Sequence, residues 1–195
     1  MEYSMKIFFG GILGGVLLFV WGFLSWVILP IHKSSTHPLP NEDAIITALQ
    51  STVQYKGVFI FPSMSQSPSG STAQAQWEAK YQHGPIGMIF YDPQGKNPFM
   101  PLQILNGLII AMISSFLVVW FLTRSTAYTG SYFSRVAFCG MFGIFLVVAA
   151  NLLMWNWFNE PNDWTIGLII DDVIGWVLAG LGIAAFIKAP KPATV

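Results

Sequence analysis

Charge is scarce in this 195-residue sequence, with nine Lys and Arg against nine Asp and Glu and a formal net charge of zero. Soluble domains carry about 25% charged residues, so a chain that is 9% charged and 54% hydrophobic cannot cover its own surface in water. The missing basic excess argues against nucleic acid as a partner. Cys139 is the only cysteine, which excludes an internal disulfide and any multi-cysteine metal site. No P-loop, GxGxxG, HExxH or GxSxG occurs. The chain therefore reads as non-enzymatic, and no cofactor is named by its residues. His32, His37 and His83 follow no recognised ligand spacing. They read as ordinary surface histidines, with no metal.

Long apolar runs are what the sequence has instead. A helix needs about 20 mostly apolar residues to cross the hydrocarbon core, and four segments reach that length: 7–29, 102–122, 136–158 and 164–187. Lipid offers no partner to backbone N–H and C=O groups, so each span must be helical. The first is too long for a signal h-region and runs directly into Pro30, Ile31 and His32, so it reads as an uncleaved span. The expected fold is an α-helical polytopic membrane protein, a four-helix transmembrane bundle with a small α/β exported domain between helices 1 and 2.

Orientation follows the short basic flanks. Residues 1–29 carry Lys6 before the first span, the loop between spans two and three carries Arg124 and Arg135, and the tail 188–195 carries Lys188 and Lys191. The loop between spans three and four, 159–163, has no Lys or Arg but has Glu160 and Asp163. Both termini should face the cytoplasm, and residues 30–101 should be exported. Within that segment Asn41 is placed to cap a helix with Glu42 and Asp43 in its first turn. GVFIFP, 57–62, reads as a strand closed by proline, and 63–71 as a polar Ser/Pro/Gly loop. A second helix and a second strand, 87–91, come next. A right-handed crossover would make the two strands parallel neighbours.

The opening GGILGGVLLFVWGFLSWVILPIH, the GVFIFP strand and the run HGPIGMIFYDPQGKNPFMP resemble a family of small bacterial inner-membrane proteins. That resemblance implies four spans, a periplasmic domain after the first, and a bacterial inner-membrane location. It carries no assigned activity and no catalytic residues.

Span one is rich in glycine. Gly10-xxx-Gly14 and Gly11-xxx-Gly15 let a second helix approach closely, and Gly22 lies on the face of Gly11 and Gly15. These five residues read either as packing within the bundle or as contact with another membrane subunit or a second copy. Most tryptophans lie where interfacial belts form, Trp26, Trp155, Trp157 and Trp164 toward the exported face. Trp21 and Trp176 lie deeper and require a packing or ligand explanation.

The costliest residues are Asp171 and Asp172, seven and eight positions beyond Trp164 and about 10 to 12 Å deep at 1.5 Å per residue. A central Asp costs about 2.5 to 3.5 kcal/mol on insertion scales. Neighbouring helical residues diverge by about 100°, so the two cannot share a face. Asp171 lies on the side of Gly167, Gly175 and Gly182. Hairpin counting sets Asn151 level with Asp171, while Asn106, Gln103 and Ser25 fall in the same half of the membrane. The expectation is one polar pocket of Ser25, Asn106, Asn151 and Asp171, with Asp172 beside it, opening toward the exported side. No Lys, Arg or His inside the spans is available to neutralise it.

That pocket admits three readings: a hydrogen-bonded knot fixing helix register, a pair of carboxylates awaiting a cation on a partner subunit, or a proton or cation site. The leading expectation is an accessory or assembly subunit of a bacterial inner-membrane complex, resting on the glycine-rich span and the missing catalytic motifs. The alternative is a small transporter, channel or proton-relay protein using Asp171 and Asp172.

Overall fold

The computed structural model describes residues 2–64 and 71–188. In chain order the elements are α1 (Glu2–Phe23), α2 (Glu42–Thr52), β1 (Gly57–Phe61), α3 (Ser71–His83), β2 (Gly87–Tyr91), α4 (Pro101–Leu122), α5 (Tyr132–Leu146), α6 (Leu152–Phe158) and α7 (Asn162–Phe186). Two compact units result: Pro38–Pro98 forms one, and Met1–His37 with Phe99–Val195 the other.

The larger unit holds four helices long and apolar enough to cross a membrane, Ser4–Ile28, Pro101–Leu122, Tyr132–Phe158 and Asn162–Phe186. Two of them contain a π-helical turn, Leu24–Ile28 continuing α1 and Val147–Asn151 joining α5 to α6. Such a turn holds one residue more than an α-turn and re-aims the residues beyond it. The first span ends where sequence chemistry requires. Leu29, preceding a proline, is extended at ψ 149° because the α region is barred there. Pro30 then opens a 3₁₀ turn, Pro30–His32, at the position where its missing N–H costs nothing. Ser131 caps α5 by accepting from the Ser134 N–H at 3.2 Å. Asn159, left-handed at φ 53°, ends α6.

α7 is the packing centre. It lies extensively against α5 and against α1, while α4 packs on α1 and meets α5 only sparsely. The core reflects this order, with Val118, Val119, Leu122, Cys139, Trp176, Ala179, Ile183 and Ile187 in one buried cluster. The two GxxxG pairs of α1 face α4 and the end of α7. Gly10 lies against Ile187 just past α7, Gly14 against both Ser115 of α4 and Ile183 of α7, and Gly11 and Gly15 against Phe116 and Met112 of α4. A side chain at Gly15 would come within 2.8 Å of the Met112 Cα, so only a bare backbone allows this approach. Gly22 has no atom within 4 Å of where its side chain would be, so it takes no part in that packing.

In the smaller unit β1 and β2 form a two-stranded antiparallel sheet, Gly57 opposite Tyr91 through Phe61 opposite Gly87. The expected parallel pairing is therefore incorrect. The crossover rule fixes the hand of a connection once strands are parallel and does not choose parallel over antiparallel. A pair with no further strands gains from the better-aligned antiparallel bonds. Asn41 also departs from expectation: it is left-handed at φ 53°, and its side chain makes no capping bond. Glu42 and Asp43 do occupy the first turn of α2. Trp77 of α3 donates to the Pro62 carbonyl at 3.1 Å. Asp92 accepts from Lys56 at 3.0 Å and pairs with Lys96 at 3.2 Å. The Lys56 bond, the Gln94 amide and Lys96 together hold the Asp92 carboxyl down at about 2. Most of the polar loop expected at 63–71 lies outside the described residues.

Candidate functional site

Asp171 and Asp172 are adjacent on α7 but are held by different helices. The π-turn ending the first span carries Ser25, which is fully buried and donates its hydroxyl hydrogen to Asp171 Oδ1. The 3₁₀ turn set by Pro30 brings back His32, whose Nε2 lies 2.9 Å from Asp171 Oδ2 and 3.3 Å from Ser25 Oγ. Trp21, one turn before Ser25, donates Nε1–H to the Asp171 backbone carbonyl at 3.1 Å. On the other side, Asn151, at the end of the second π-turn, donates Nδ2–H to Asp172 Oδ2 at 2.7 Å.

His32 is the residue that sequence reasoning misses. It is not an ordinary surface histidine: it is 5% exposed and pairs with Asp171. The expectation that the aspartates have no Lys, Arg or His partner in the chain is corrected by the same contact: the partner is His32, just beyond the first span. The signal available in the sequence is Pro30, which ends the span at an extended Leu29 and turns the chain so that His32 comes back beside Ser25. His37 and His83 do not join this cluster.

The ring of His32 is held by Trp26 on one face and approached by Trp164 and Gly167. Trp26 stacks on it with ring centroids 3.9 Å apart and planes 15° apart. Trp164 meets Trp26 edge-on at 5.7 Å and His32 at 6.2 Å. A side chain at Gly167 would lie 2.8 Å from His32 Nδ1 and 2.9 Å from Cε1. Gly167 therefore makes the space that the imidazole fills, and Gly175 does the same for Trp21, at 3.0 Å from its Cδ1.

The other expected members fall elsewhere. Asn151 meets Asp172 rather than Asp171, because residue counting gives depth along a helix but not facing, and a π-turn intervenes. Asn106 and Gln103 are exposed on α4 and are not part of the cluster. The single pocket expected from the sequence is thus two separate sites, back to back on α7.

The chemistry of the first site rests on its proton inventory. With Asp171 ionised, His32 Nε2 and Ser25 Oγ each point a hydrogen at one carboxylate oxygen. His32 Nδ1 is then an acceptor, buried and without a hydrogen-bond partner. This order differs from a nucleophilic triad, in which the carboxylate and the serine address opposite ring nitrogens. Here both lie on Nε2, and the serine hydrogen goes to the carboxylate. Among the described residues no group of three or more His, Cys, Asp or Glu side chains is arranged to hold a metal ion. No family model, curated protein or solved structure matches this chain, so its site is read from its own geometry.

Proposed function

We propose that this chain is a non-enzymatic membrane protein that takes up and releases a proton at the His32–Asp171 pair, acting as a small proton-relay or proton-coupled transport protein. One observation carries the reading: the Nε2 of a buried histidine lies 2.9 Å from a carboxylate oxygen of Asp171, an aspartate within the fourth span. Ionisable groups placed within spans are costly and mark proton or ion pathways. The proton order around Nε2, and the complete burial of Ser25, support a proton site over a hydrolytic one. The accessory-subunit reading has less to stand on. Four of the five glycines that suggested a partner face α4 or α7 of the same chain.

The basic flanks support an orientation in which Lys6, Arg124 and Lys188 face the cytoplasm. Residues 38–98 then face outward, and the family resemblance supports a bacterial inner membrane. His32 and Asp171 lie toward the outward ends of their spans, the side from which protons would arrive.

The test is reconstitution of the full chain into liposomes with an entrapped pH-sensitive dye and an imposed potassium diffusion potential. Wild-type protein should acidify or alkalinise the lumen faster than protein-free liposomes. Asp171→Asn should fall to the protein-free rate while inserting normally, and Asp172→Asn should keep most of the flux. A wild type indistinguishable from protein-free liposomes, or an unaffected Asp171→Asn, overturns the proposal.

A further inference from the structure

At the opposite end of the bundle from His32, α4 presents an apolar stripe that ends on a cation. Ile113, Phe116, Leu117 and Trp120 line a groove of about 430 Å³ on its outer face. Ile113, Leu117 and Trp120 are 56%, 54% and 49% exposed. At spacings of four, three and four residues, Ile113, Leu117, Trp120 and Arg124 follow one side of the helix for about 16 Å at 1.5 Å per residue. The groove floor is fixed, because Phe116 packs over Gly11 and lies 6.1 Å from Phe8 between ring centroids.

Arg124 closes the groove in a set position. Its guanidinium carbon lies 4.1 Å above the Trp120 ring, and its Nη1 donates to the Trp120 carbonyl at 3.2 Å. One donor and one ring face are used, which leaves most of the planar fork free. Among the described residues Arg124 has no carboxylate partner. The same end of the bundle carries Lys6 and Lys188 and, beyond Glu2, no acidic residue.

We infer that this stripe is a binding site for one anionic phospholipid, its acyl chain along Ile113, Phe116, Leu117 and Trp120 and its phosphate on the Arg124 guanidinium. A zwitterionic lipid fills the apolar groove equally well but brings an ammonium toward the Arg124 guanidinium, which removes the charge match. Arginine suits phosphate because its fork donates two parallel hydrogen bonds. A second copy of the chain would meet Arg124 with another Arg124 across any two-fold contact on this face, so the charge favours lipid as the occupant.

The test uses the full chain in a neutral detergent, titrated with phosphatidylglycerol or phosphatidylcholine and read by native mass spectrometry. Phosphatidylglycerol should be retained about fivefold better, the effect of one favourable basic contact at a membrane surface. Arg124→Gln should bring the two lipids level, and Arg124→Lys should keep part of the preference. If Arg124→Gln does not yield folded protein, Leu117→Trp fills the groove with the charge intact and should lower retention of both lipids. Equal retention by wild type, or an undiminished preference in Arg124→Gln, overturns the inference.

Discussion

Asp171 and Asp172 are chain neighbours of identical chemistry, yet their surroundings differ in kind. Asp171 has a hydroxyl donor, an imidazole and a clamped indole around it, so its partner set includes a second titratable group. Asp172 has one amide donor, Asn151, which can neither give up nor accept a proton at these pH values. A turn of about 100° on one helix thus separates a carboxyl set against an imidazole from one set against an amide. Both depend on a π-turn in a neighbouring helix. Each also depends on a glycine that lets ring or backbone come close, Gly167 beside His32 and Gly143 beside the Asp172 carbonyl.

Those two glycines separate the sites most directly. Gly143→Ala should have the largest effect on stability, because its new Cβ would lie 2.5 Å from the Asp172 carbonyl oxygen and 3.0 Å from Val173 Cα. Backbone cannot rotate away, so α5 must lift off α7 at a cost of about 1–3 kcal/mol, measurable as a lowered unfolding midpoint in detergent. Gly167→Ala strikes a ring on a short turn instead and should cost less stability. It should nonetheless push His32 off Asp171 and abolish proton flux. If Gly167→Ala leaves flux intact while Gly143→Ala removes it, the two sites have been assigned the wrong roles.

Asn151→Leu comes next in size. It removes the single donor to Asp172, with a loss of about 0.6 to 1.7 kcal/mol, the range found for hydrogen bonds between helices in membranes. Flux through the Asp171 side should continue. A loss of flux equal to that of Asp171→Asn would show that the two carboxylates form one coupled site.

The smallest effect concerns Asp92 in the unit 38–98, a carboxylate outside the spans. Its folded-state pKa is depressed to about 2 by Lys56, Gln94 and Lys96. Its contribution is therefore present above the ordinary carboxylate range and is lost as pH falls from about 4 toward about 2. The pair with Lys56 is exposed, so salt should screen most of it. A urea titration of wild type and Asp92→Asn should diverge slightly at neutral pH and low salt, and converge near pH 2.

The spans and their ends are legible in the sequence because length and lack of charge are properties of runs rather than of single contacts. The depth of the aspartates is legible for the same reason, as is the meeting of Ser25 with Asp171. Facing is not. Neither LSWVI nor VVAAN carries a residue that demands a π-turn, and each turn rotates the rest of its helix by about one residue's angle. That rotation exchanges Asp171 for Asp172 as the partner of Asn151. His32 lies outside the span as counted by hydropathy, although Pro30 is already a reason to expect the chain to turn there. The antiparallel sheet depends on the path through residues 62–86, about which local propensity says nothing.

The order of packing in the larger unit has a consequence for how the protein is made. The helices lie as a row, α4 beside α1, α1 beside α7, α7 beside α5, with little direct joining of α4 to α5. The first two spans can pair as soon as both are in the membrane. The third then waits beside them with almost nothing to hold, because its main contact surface belongs to the span not yet synthesised. The fourth span brings the two aspartates, and with them the ties to the first and third. Assembly and completion of the polar sites are therefore the same event, and until α7 arrives the chain has neither a closed bundle nor partners for Ser25, His32 and Asn151.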